Sequence, residues 1–204
     1  MFNKIKQYFN QKNLLDERYR YLFDKSESDE YICFDVETTG LDTKVDDIIS
    51  IGAVKIKDNK ILTSQKFERF VKPKSVMNEE SIKIHRIRCC DLEEASEIDE
   101  VIEDFLAFIG NRKLVGYYLE FDVAMINRVL KPRIGITLPN EQIEVSALYY
   151  DFKIGAIPQG NVDLRFDTIM KELKLPFMGK HDALNDAIMT AMIFTKLNKM
   201  KGIR

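Results

Sequence analysis

Asp35 and Glu37 stand two residues apart at the end of a short, β-rich apolar run, Tyr31 to Val36, just before a Thr-Thr-Gly turn. Side chains alternate across a strand, so Tyr31, Cys33, Asp35 and Glu37 share one face while Ile32, Phe34 and Val36 take the other. Two carboxylates therefore project together from a strand's C-terminal end, where open α/β sheets place their ligand sites. Asp122 precedes Met125, Ile126 and Val129 at helical spacing, which puts a third acid on an apolar, inward helix face. Asp186 repeats the pattern, three residues after Ala183 and seven before Ile193. Acids crowded together repel and raise one another's pKa values unless bound cations neutralise them. All-oxygen ligands favour magnesium or manganese, and two such ions about 3.5 to 4 Å apart can activate water and stabilise the leaving oxygen of a phosphodiester. His181, five residues before Asp186 and preceded by the flexible Gly179, adds an imidazole suited to accepting a proton from water. Singly, each residue has an ordinary explanation: a solvated strand end, a carboxylate on first-turn amides, a structural histidine. Together they suit hydrolysis of nucleic acid.

The elements that must position these residues read as a mixed α/β layer fold. Ile48 to Ile56 and Ile61 to Val71 flank the turn signal Asp58-Asn59-Lys60 and form a hairpin beside the first strand. Ile98, Val101, Ile102, Phe105 and Ile109 recur at helical spacing up to Gly110 and Asn111, and a strand, Lys113 to Tyr117, follows. A helix from about Phe121 to Leu130 is stopped by Pro132, and a shorter one, N-capped by Asp167, ends before Pro176. The last helix, about Asp182 to Lys199, aligns Ala183, Ala187 and Ala191 as a small-residue stripe for close approach to a sheet. Lys131 to Phe166 carries the weakest pattern, with loop expected at Gly155 to Gly160. Phe2, Ile5, Phe9, Leu15, Tyr19 and Leu22 suggest an amphipathic helix in an N-terminal extension, residues 1–29, ahead of a domain at 30–204. That stripe either docks on its own domain or contacts a polymerase or a second copy.

Across 204 residues, 45% hydrophobic content supports a folded core, and 31 basic against 33 acidic residues leave a formal charge of -2. This balance excludes a disordered chain and a duplex-coating basic protein, so any nucleic-acid contact must come from a local patch. The start, MFNKIKQYFN, lacks the apolar core of a signal peptide, and the uncharged run Ala187 to Thr195 is far shorter than the ~20 residues that cross a bilayer. Three cysteines without CxxC spacing argue against a disulfide framework and a structural zinc site. A cytoplasmic protein without membrane contact is expected. Neither G-x-x-x-x-G-K-[ST] nor H-E-x-x-H occurs.

The segments FDVETTG (Phe34 to Gly40), GYYLEFD (Gly116 to Asp122) and HDALNDA (His181 to Ala187), in this order and spacing, resemble the DEDDh exonucleases. That family includes the proofreading subunit of bacterial DNA polymerase III, ribonuclease T and oligoribonuclease, and the likeness covers about Glu30 to Met200. It implies a ribonuclease H-like fold, a mixed five-stranded sheet flanked by helices, with two Mg2+ or Mn2+ ions as cofactors. By the resemblance, Asp35 touches both metals, Glu37 and Asp186 the first, Asp122 the second, and His181 is the general base. Backbone around Thr38 and Thr39 would hold the 3′-terminal nucleotide, with Leu41 and Phe121 flanking its base or sugar or simply packing.

SIKIHRI around His85 also looks like the family's helix leading into an Ile-His-Gly-Ile segment, with Arg86 in place of glycine, but His85 is assigned no chemistry. In the second motif Tyr117-Tyr118 replaces the His-Asn of many relatives, which leaves sugar discrimination open. Tyr118 either stacks on a base or packs in the strand. The expected activity is a 3′ to 5′ exonuclease on single-stranded or frayed DNA that releases nucleoside 5′-monophosphates. The alternatives are an exoribonuclease on short RNA or tRNA ends, and a catalytically silent module that binds nucleic acid or a polymerase.

Overall fold

A computed structural model describes residues 2–25, 29–156, 161–200 and 202. Its sheet runs in the order β3-β2-β1-β4-β5, from β1 (Glu30–Thr38), β2 (Ile48–Lys57), β3 (Lys60–Phe70), β4 (Lys113–Gly116) and β5 (Gln142–Glu144). β1 to β3 are antiparallel neighbours, whereas β4 is parallel to both β1 and β5, which gives the expected mixed sheet flanked by helices. The β2–β3 hairpin closes through Asp58 and Asn59, both in the left-handed region (φ 49° and 57°) that a two-residue hairpin turn requires. The Asn59 side-chain amide donates to the Thr195 carbonyl and fixes the hairpin tip.

The alternation along β1 separates two apolar layers. Ile32, Phe34 and Val36 pack with Phe105, Met125 and Ile126, on the side of α3 (Ile98–Ile109) and α4 (Leu119–Ile134). Cys33, Val54 and Ile56 pack beneath α7 (Ala183–Met200), with α5 (Val145–Ala156) and α6 (Phe166–Glu172) alongside. Ala183, Ala187 and Ala191 are buried, as their spacing requires for close contact with the sheet. At Gly52 the approach is so close that a Cβ would lie well inside van der Waals contact with the Leu184 backbone nitrogen. Gly52 is the ladder partner of Asp35, so α7 begins directly over the strand position that carries the first acid.

Several local expectations need correction. Pro132 does not stop α4, which continues to Ile134 and ends at Gly135 (φ 78°); a proline this close to a helix end removes only one ladder bond. The cap of α6 is not Asp167: Arg165 occupies the N-cap position, Asp163 accepts from the Arg165 N–H and the Thr168 hydroxyl, and Asp167 pairs with Lys180. Residues 155 and 156 finish α5 rather than forming loop, and 157–160 lie outside the described residues.

The N-terminal stripe is broken into α1 (Phe2–Lys12) and a 3-10 segment, Glu17–Phe23, because Asp16 is extended and accepts from the Arg18 N–H. Tyr19 and Leu22 join the core while Ile5, Phe9 and Leu15 stay exposed; the side chain of Phe2 is outside the described residues. α2 (Glu79–His85) is capped by Asn78 and ends with Arg86 at φ 62°, a left-handed position that a glycine would occupy without strain. None of the described helices is long and apolar enough to cross a membrane.

Gly52→Val should force α7 away from β2. The expected result is a loss of about 1 to 3 kcal/mol in urea unfolding, the usual cost of overpacking. An unchanged unfolding midpoint would show that helix and sheet are not in this close contact.

Candidate active site

Each acid arrives from a different element. β1 turns Asp35 and Glu37 toward the α7 side, and the first turn of α7 brings Asp186 over them. One carboxylate oxygen from each of Asp35, Glu37 and Asp186 lies within 4.8 Å of the other two. Asp122 comes from the opposite layer, in the first turn of α4, and is 4% exposed. β1 and β4 pair only over Tyr31 to Cys33, so the Val36 amide lacks a β4 partner and donates to Asp122 Oδ1 at 3.1 Å. Asp122 thus lies beside the other three without joining their close group.

Burial is the largest cause of the raised pKa at all four carboxyls, and their mutual repulsion adds to it. Asp35 and Asp122 are pushed well above the ordinary carboxylate range, and Glu37 is pushed up to about 8 by burial and by the charges of Asp186 and Asp182. Asp186 is also raised by burial, with partial relief from the His181 backbone N–H, which donates to its Oδ2 at 3.0 Å. No cation of the protein is hydrogen-bonded to these four carboxylates among the described residues; the donors they have are backbone amides. A half-buried, all-oxygen cluster short of positive charge is a donor set that fits hard divalent cations.

Two cavities flank the cluster. The first, about 180 Å³, is walled by Asp35, Asp186, His181, Lys180, Tyr117 and Phe166. His181 has φ 59° and is exposed, so its imidazole stands at the mouth of this cavity beside two of the acids. The second, about 280 Å³, opens beside Glu37 and includes Thr38, Leu41, Ile84 and His85. Thr38 and Thr39 are buried, with the Thr38 hydroxyl donating to the Gly40 carbonyl and the Thr39 hydroxyl bonded to Asp46.

Leu41 is 85% exposed at the second cavity's edge and Tyr118 is 74% exposed, so neither is held by packing. Phe121 packs partly buried against the α3–α4 core and borders neither cavity. Two residues given no role from sequence also line the cavities. Tyr117 donates its hydroxyl to the Leu164 carbonyl and packs edge-on against Phe166, which anchors the wall beside His181. His85 is 6% exposed; its Nδ1 accepts from the Ile87 N–H, and its Nε2 has no partner among the described residues. Burial lowers the His85 pKa, so the ring is a neutral donor through Nε2. A second histidine ending a helix was the available sequence signal.

Comparisons with known proteins agree with this architecture. The exonuclease model of the ribonuclease T type matches residues 32–194. The DNA polymerase III PolC-type protein of Caldanaerobacter subterraneus subsp. tengcongensis is 36% identical over 179 residues, covering 85% of this chain and 12% of the relative. That of Clostridium perfringens is 35% identical over 183 residues, covering 87% of this chain and again 12% of the relative. The chain therefore spans a small part of the length of these relatives. Among solved structures, cell-death related nuclease 4 superposes with a TM-score of 0.73 at 18% identity, covering 85% of this chain and 64% of that one. Exonuclease X, solved in complex with 5′ overhanging duplex DNA, gives 0.65 at 22% identity, covering 84% and 93%. The family match begins before Asp35 and ends after Asp186, so it contains every acid of the cluster, and the chain belongs to the exonuclease family of the DEDDh type.

Proposed function

We propose that this domain hydrolyses the terminal phosphodiester at the 3′ end of single-stranded or frayed DNA and releases nucleoside 5′-monophosphates. The observation that carries the reading is the convergence of Asp35, Glu37 and Asp186 within 4.8 Å, half-buried and with no cation of the described residues hydrogen-bonded to them, between two cavities. The names of the PolC-type relatives and the DNA held by Exonuclease X favour DNA as substrate.

In this reading Asp35, Glu37 and Asp186 would hold one divalent cation, and Asp35 with Asp122 a second. Bound there, magnesium or manganese would supply the charge that activates water and stabilises the leaving oxygen. The protein's own groups do the rest. The cavity beside Glu37 takes the terminal nucleotide, bordered by Thr38 and Leu41, with the His85 Nε2–H as a donor toward it. His181 accepts the proton of the attacking water and, being exposed, returns it to solvent, from which the departing 3′ oxygen takes a proton. Its backbone N–H holds Asp186 meanwhile, which ties the base to the carboxylate cluster.

The test is release of mononucleotides from labelled DNA and RNA oligomers with magnesium and with EDTA. Asp35→Asn, folded but without cleavage, is the control that links release to the cluster. Wild-type turnover by that variant would remove the acids from the chemistry. His181→Ala should slow cleavage by roughly 100- to 10,000-fold with divalent-metal affinity preserved, as for loss of a general base. Loss of metal affinity in the same variant would make the histidine a ligand instead. A 3′-phosphate on the strand should suppress cleavage and a 5′ block should not; equal degradation of circular and linear single strands would contradict terminal attack.

The raised carboxyl pKa values also predict a pH dependence of stability. Between the unfolded glutamate value of 4.5 and the folded value of about 8 for Glu37, the folded protein holds more protons than the unfolded chain. Metal-free stability therefore falls as pH rises through that window. Urea midpoints in EDTA should drop from pH 5 to pH 8, and manganese should restore them at pH 8. A midpoint that rises with pH in EDTA would contradict the electrostatic account.

A further inference from the structure

On the other side of the 39–47 loop from the acidic cluster lies a groove of about 380 Å³, bordered by α4 and by the residues after β3. Five cations line it, Lys44, Lys72, Lys74, Arg128 and Arg133, together with two acids, Asp47 and Asp99. Both acids are already engaged. Asp47 accepts from the Lys74 and Ser75 N–H groups at 2.9 and 2.7 Å and from the Arg128 guanidinium at 2.6 Å, and Asp99 pairs with Arg133. Lys44, Lys72 and Lys74 are exposed, and among the described residues none of them forms a salt bridge. Five positive less two negative charges leave three, on a chain whose formal charge is -2. The floor is apolar, with Ile48, Val71 and Met125 buried beneath it.

The groove and the acidic site share one loop. Gly40 and Leu41 border the cavity beside Glu37, while Lys44 and Asp47 border the groove. Thr39 Oγ1 accepts from the Asp47 N–H at 3.0 Å and lies 3.1 Å from Ser75 Oγ, which stitches that loop to the lysine-bearing segment. The loop that borders the cavity beside Glu37 thus also carries Lys44 at the groove, next to the segment that bears Lys72 and Lys74.

We propose that this groove binds the strand upstream of the scissile bond, with Lys44, Lys72 and Lys74 on backbone phosphates. The inference rests on the substrate assigned above and adds a second contact region, remote from the acids. Lysines act as point charges, so the contact should be sequence-independent and salt-sensitive.

The experiment compares wild type with the triple variant Lys44→Gln, Lys72→Gln, Lys74→Gln. The first readout is fluorescence anisotropy of a 5′-labelled thymidine oligomer of about 15 nucleotides, titrated in EDTA at several salt concentrations, so that no cleavage occurs. At about 0.7 counterions per phosphate contact on a single strand, losing three contacts should reduce the slope of log K against log salt by about 2. The second readout is manganese-dependent hydrolysis of the p-nitrophenyl ester of thymidine 5′-monophosphate, which reaches only the terminal cavity and should be unchanged in the variant. An unaltered salt slope, or no binding by wild type, overturns the groove even if the ester is cleaved. An unaltered slope with lost retention on immobilised polyglutamate also overturns it and assigns the lysines to an acidic protein surface. Ester hydrolysis absent from both proteins counts against the nuclease reading, while the salt slope still decides the groove.

Discussion

The missing side chain at Gly52 sets the distance on which the acidic cluster depends. Gly52 faces Asp35 across the β1–β2 ladder, and the backbone of α7 occupies the space where a Cβ would project. The alanines at 183, 187 and 191 extend the same close contact along the helix. Asp186, one turn into α7, is carried by this contact to Asp35 and Glu37. A larger residue at 52 would lift the helix start and with it both Asp186 and the loop that bears His181. A packing constraint on an apolar face thus determines a distance between charges.

The same contact produces electrostatic tension. Four carboxyls are held where burial and repulsion oppose their ionisation, and among the described residues the hydrogen bonds that relieve this come from backbone amides, Val36 to Asp122 and His181 to Asp186, with Lys180 and His181 adding a weaker charge effect at Asp186. The apolar layers on both faces of the sheet must offset that cost. Charge elsewhere is distributed differently: Glu30, at the far end of β1, is held at about 2 by Arg112, with burial opposing and Lys57 assisting. The two ends of one strand therefore carry opposite arrangements, a neutralised acid at the start and unneutralised acids at the C-terminal end.

Much of this was legible in the residues. The alternation of β1 separates Asp35 and Glu37 from Ile32, Phe34 and Val36, and the structure keeps that division. Asp122 reads as inward from its spacing to Met125 and Ile126, and it is buried. Convergence is not contained in periodicity: it depends on β4 diverging from β1 after Cys33 and on α7 crossing at Gly52. Pro132 misleads because local propensity cannot tell a helix interior from its last turn. Asp167 misleads in the same way: Arg165 takes the N-cap position of α6 without a side-chain capping bond, and Asp163, ahead of the helix, holds the Arg165 N–H and the Thr168 hydroxyl. The lysine groove is assembled from four separated segments, so its charge has no signature in a chain whose overall charge is nearly balanced.

The central claim is that the carboxylates form a divalent-cation site assembled by this packing. The most direct measurement is anomalous scattering from crystals grown with manganese. The account predicts two manganese ions sharing Asp35, one also bound by Glu37 and Asp186 and the other by Asp122. Crystals that bind manganese elsewhere, or leave the four carboxylates without metal at saturating concentration and neutral pH, would contradict it.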